Sequence, residues 1–62
     1  MRADMVKELL RGLEYLEINK VQMEKDLLYE LEDNFEPKFI LDIAYNKGLS
    51  IEEKLEIFSK GE

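Results

Sequence analysis

The sequence predicts an all-α fold: a small bundle of four short helices, with a helical hairpin over 3–33 followed by two shorter helices packed across it. Three observations carry that prediction. Leu, Glu and Lys dominate, while one proline and three glycines interrupt the chain. Apolar residues recur at i, i+3 and i+4 rather than alternating. Boundary signals at Asn19, Pro37 and Gly48–Ser50 divide the chain into segments of helical length.

The first helix is expected over about 3–17. Met5, Val6, Leu9, Leu10, Leu13 and Leu16 share one face, and Lys7, Glu8, Arg11, Glu14 and Tyr15 look outward. Gly12, at the edge of the stripe, costs about 1 kcal/mol relative to alanine. The break that follows has a local cause. Asn19 is a good N-cap, Gln22 stands where a capping box places its Glu or Gln, and Ile18 and Met23 occupy the positions of a hydrophobic staple. The rival is one long helix from Ala3 to Asp33.

A second helix over about 20–33 presents Val21, Met23, Leu27, Leu28 and Leu31, a stripe that Phe35 continues. Glu24 falls inside this arc, in the first turn, where a carboxylate suits the helix dipole. It is expected to be exposed at the end of the core. Pro37 disfavours helix in the residue before it and suits a first turn after it, so the third helix spans about 37–47. About two thirds of its circumference is apolar, through Phe39, Ile40, Leu41, Ile43, Ala44 and Tyr45. Lys38, Asp42 and Asn46 form the polar stripe. Gly48 is expected to end it in a left-handed conformation. Ser50-Ile51-Glu52-Glu53 is a capping-box sequence opening a fourth helix over about 51–59, which buries Ile51, Leu55 and Phe58 before a fraying tail.

Size and composition narrow the function. The chain reads as a single helical domain over 1–62, and a domain of this length buries only roughly 60% of its unfolded surface. With no cysteine and no histidine, disulfides, Cys-ligated metals and the commonest general base are absent. Oligomerisation or a bound partner is the remaining way to add apolar burial. Nine basic against fifteen acidic residues give a formal charge of −6. That sign repels nucleic-acid backbones and anionic membranes, and it favours a basic partner. No stretch approaches the ~20 apolar residues of a membrane span. Asp4 stands where a signal peptide has its basic region, so a cytoplasmic location is expected.

The third and fourth helices invite comparison with a DNA-binding helix-turn-helix. Ala44, Gly48 and Leu49 have its spacing, and Ile57 fits a late apolar position. Lys54, however, stands where an inward branched residue is expected, and Ser50–Glu56 is acidic on the face that meets DNA. Over Ala44–Glu53 the chain is similar to the helical hook by which small Sin-type anti-repressors pair with their repressors. There an alanine-bearing helix leads through a short turn into a Ser-x-Glu-Glu helix start. The similarity covers about ten of the 62 residues. It lacks the aromatic that opens the family's first helix and has Lys54 for an aliphatic, so it implies only how such a unit serves as a docking element.

Glu30, Glu32, Asp33 and Glu36 cluster at the end of the second helix, without the loop pattern that a hard cation needs. They read as a solvated acidic corner or a contact for a cationic partner. Acid–base catalysis needs perturbed carboxyls in a water-excluding pocket, and four short helices offer no obvious cavity of ~300 Å³. Neither an enzyme nor a cofactor or metal site is therefore expected. The expected function is that of a non-catalytic, acidic protein–protein interaction module, a regulator or inhibitor that binds a partner through apolar helix faces and forms a homodimer through the third helix. Alternatives are a structural subunit of a larger complex, a degenerate helix-turn-helix, or an acidic DNA mimic. Candidate partner-binding residues are Leu41, Tyr45 and Ile57, together with Tyr15 and Tyr29, because aromatic anchors carry much of the energy of interfaces.

Overall fold

Four helices form in the computed structural model, which describes residues 1–15 and 18–61: α1 (Ala3–Tyr15), α2 (Lys20–Leu31), α3 (Pro37–Ala44) and α4 (Ile51–Lys60). The fold is all-α, and no strand occurs among the described residues. α1 packs against α2 and α4, and α3 packs against α2. The Arg2 guanidinium closes the hairpin by forking onto Glu30, with Nε 3.3 Å from Oε1 and Nη2 3.2 Å from Oε2. The start of α1 therefore lies beside the end of α2, which makes the pair antiparallel and rules out one continuous helix. The predicted end of the first helix, with Leu16, lies outside the described residues.

The core takes residues from every helix: Val6, Leu10 and Leu13, then Leu27 and Leu31, then Ile40 and Ala44, then Ile51 and Phe58. These are the centres of the predicted stripes, as a 3.6-residue period requires. Met5, Leu9, Met23, Leu28, Ile43 and Leu55 are half-buried at the edges. Val21 does not belong to the stripe. It is 68% exposed, on the first turn of α2.

Local signals place the boundaries, although not always by the expected means. Asn19 does precede α2, but with φ 62° and ψ 18° and no side-chain cap. Gln22 instead donates to Asp26 Oδ1 at 2.9 Å, and Ile18 is exposed, so neither the capping box nor the staple forms. Asparagine is among the few residues that tolerate this left-handed backbone. α2 ends at Leu31, two residues before the predicted boundary, and turns through Glu32–Phe35. Pro37 does open α3, after an extended Glu36.

α3 ends at Ala44 rather than at 47, and no glycine among the described residues has a positive φ. Asn46 makes the turn instead. Its Oδ1 accepts the Gly48 N–H at 2.8 Å, and a Cβ on Gly48 would lie 3.2 Å from that oxygen. Glycine is there for a close side-chain approach, not for a left-handed cap. The predicted capping box of α4 does form: Glu53 N–H donates to Ser50 Oγ at 3.1 Å, and Ser50 N–H to Glu53 Oε1 at 2.8 Å. α4 extends one residue past its predicted end, and Glu62, in the predicted fraying tail, lies outside the described residues. The helix runs to Lys60, and Gly61 lies so close to the Phe35 ring that a Cβ would fall 2.0 Å from Cζ. Phe35 itself meets Phe58 edge-on at 5.6 Å and stacks on Phe39 at 5.4 Å.

Candidate functional site

Five residues were singled out by sequence, and the geometry separates them. Tyr15 and Tyr29 are both exposed but lie near opposite ends of the hairpin. Tyr15 borders a shallow groove with Glu8, Arg11 and Gly12, whereas Tyr29 borders one with Arg2, Glu32 and Asp33. Arg2 and Tyr15 are about 20 Å apart along the helix at 1.5 Å per residue, so the two tyrosines do not form one patch. Ile57 is half-buried on α4, the helix that rests on α1.

Leu41 and Tyr45 are one turn apart and share an edge of α3. Leu41 is half-buried, and Tyr45, immediately after the helix, is 41% exposed. The Tyr45 hydroxyl donates to the Glu24 carboxylate on α2. Burial, the Glu24 hydrogen bond and its charge together push the phenol up to about 12. Glu24, expected to be exposed at the end of the core, instead accepts this bond. It is half-buried and pins the tyrosine ring across the α2–α3 seam.

Phe39, one of the apolar residues of the predicted third helix, is 42% exposed. Its ring lies on Phe35 and covers the edge of the core rather than filling it. With Ile40 and Ala44 buried, the helical period puts Phe39 on one border of the outward face of α3 and Tyr45 on the other. Between them runs the Lys38–Asp42 ion pair, Nζ to Oδ2 3.3 Å.

The acidic corner is partly neutralised within the chain. Arg2 holds Glu30 below the ordinary carboxylate range, first through its hydrogen bond. Glu32, Asp33 and Glu36 remain exposed. Among the described residues no three potential metal ligands converge, and no helix is long and apolar enough to cross a membrane.

Lys54 is the residue whose place sequence reasoning missed. It occupies the inward position of α4 where a helix-turn-helix has an aliphatic, and it is only 3% exposed. Its ammonium donates to the Ala44 carbonyl at 2.8 Å, at the negative end of the α3 dipole. The signal was the mismatch itself, a lysine in an apolar register. The expectation that four short helices leave no sizeable cavity also fails. Between the α3–α4 turn and the hairpin lies an open groove of about 440 Å³, with Lys54 among its lining residues. Helices eight to thirteen residues long cannot fill the corner where a six-residue connection turns the chain.

No protein-family model, curated protein or solved structure matches the chain.

Proposed function

We propose that the chain is a non-catalytic protein–protein interaction module, a regulator or inhibitor working in the cytoplasm, which pairs with a second copy of itself through the outward face of α3. The observation that carries the reading is the pinned Tyr45 ring, half-exposed beside Leu41 while Glu24 holds its hydroxyl. An aromatic side chain already fixed in place loses little entropy on docking. Phe39, stacked on Phe35, borders the other side of the same face.

Charge favours a second copy as the occupant. Lys38 and Asp42 lie one turn apart on the outward face. An antiparallel copy of α3 sets each Lys38 against the other chain's Asp42, so the pair is self-complementary across a two-fold axis. The small core supplies the motive, because one core in this size range contributes only about 3–5 kcal/mol. The overall charge of −6 steers the resulting dimer towards a protein with a basic surface and away from nucleic acid and anionic membranes.

Replacing Leu41 and Tyr45 together by lysine tests the surface. Sedimentation should show association lost, while helicity and the cooperative melt of the monomer persist. An unchanged mass would remove this face from the account, and outright unfolding would show that the two residues are core rather than interface.

A further inference from the structure

The groove between the α3–α4 turn and the hairpin is cationic over its described lining residues, in an acidic chain. Among its described lining residues are Lys20, Lys47 and Lys54 and one carboxylate, Glu14, a formal charge of +2 over those residues in a chain of −6. Among the described residues none of these lysines has a carboxylate partner, although Lys7, Lys38 and Lys60 elsewhere each do. Lys54 is buried, with the Ala44 carbonyl as its acceptor among the described residues. An ammonium has three donors, and a buried charge is costly unless it is paired. Leu13, Ala44 and Leu49 add apolar lining. The volume, about 440 Å³, lies within the ~300–1,000 Å³ typical of small-molecule sites.

We propose that this groove binds a small organic anion, a molecule with one carboxylate or phosphate group and a short apolar body. The head group meets Lys54 at the floor, with Lys20 and Lys47 at the rim. The apolar body lies on Leu13 and Leu49. This proposal goes beyond the α3 interface and does not rest on it, although Tyr45 borders both the groove and that face.

The test is a titration of ¹⁵N-labelled protein at low ionic strength with three probes: phenyl phosphate, 3-phenylpropionate and the neutral 3-phenylpropanol. The expected result is saturable shifts of the Leu13 and Asn46–Leu49 amides with at least one anionic probe. The neutral probe should bind at least tenfold more weakly, and the stronger anion identifies the head group. Lys20→Gln with Lys47→Gln should weaken binding at least tenfold. Both residues lie on the rim, so this variant stays informative even if Lys54→Met does not fold. Shifts that never saturate, that spread over the surface lysines at large, that are equal with the neutral probe, or that persist in the double variant would each overturn the proposal.

Discussion

Replacing Lys54 by methionine separates the work of its ammonium from that of its stem. Methionine keeps an unbranched side chain of similar reach but cannot donate to the Ala44 carbonyl, 2.8 Å from Nζ. A hydrogen bond to a charged group contributes about 1.5–3 kcal/mol, and its loss orphans a buried acceptor. Relief of desolvation acts the other way, since a buried charge replaced by an apolar residue is often neutral or stabilising. Here the ammonium lies against the negative end of α3 and borders an open groove, so the hydrogen bond is expected to win. Lys54→Met should therefore cost about 2 kcal/mol, or about 8–16 °C in Tm for a domain of this size. Lys54→Ala also removes three heavy atoms of stem at about 0.8 kcal/mol each. The combined loss, about 4–5 kcal/mol, matches the whole stability available to so small a core, so that variant should be largely unfolded at 25 °C. Urea denaturation followed by circular dichroism at one low protein concentration reads both variants. A methionine variant as stable as the parent, or more stable, would refute the capping argument.

Three further outcomes follow from the same contacts. Ser50→Ala removes the side-chain half of the α4 capping box and should cost about 1 kcal/mol, measured as a lower urea midpoint with an unchanged slope. Gly61→Ala should cost about 1–3 kcal/mol by overpacking, because its Cβ must displace the Phe35 ring; a neutral result by thermal melting would show that the end of α4 is not held there. The pH dependence should have two limbs. Glu30 and Glu53 are held below 4.5, by Arg2 and by the Ser50 N–H respectively. Their contribution is thus complete above that value and lost as pH falls through the lower folded pKa values. The Tyr45 phenol, pushed from 10.0 to about 12, contributes fully below 10.0 and loses its contribution as pH rises through about 12. Stability titrations of Glu30→Gln and Tyr45→Phe should flatten the acid and alkaline limbs respectively.

Much of the fold was legible because its signals are local. Pro37 opens α3 and the Ser50–Glu53 box opens α4, since each acts within one turn of itself. The centres of the apolar stripes were equally readable, from Val6 and Leu10 to Phe58, because periodicity marks the middle of a buried face better than its edges. Val21 and Phe39 lie at such edges, where the neighbouring element decides the outcome. Gly48 was misread because the Asn46 side chain, not the glycine backbone, makes the turn. The features that shape the candidate sites were the least legible. Tyr45 meets Glu24 across 21 residues of sequence, and Lys54 is buried only because a helix end presents the Ala44 carbonyl to it. Neither pairing has a local signature.

The central claim is that the outward face of α3 is an interface between copies of this chain. Sedimentation equilibrium from low to high micromolar concentration tests it most directly. The account predicts a mass rising towards twice 7.4 kDa, and a return to the monomer mass when Leu41 and Tyr45 are replaced by lysine. A mass that stays at 7.4 kDa over the whole range would contradict it.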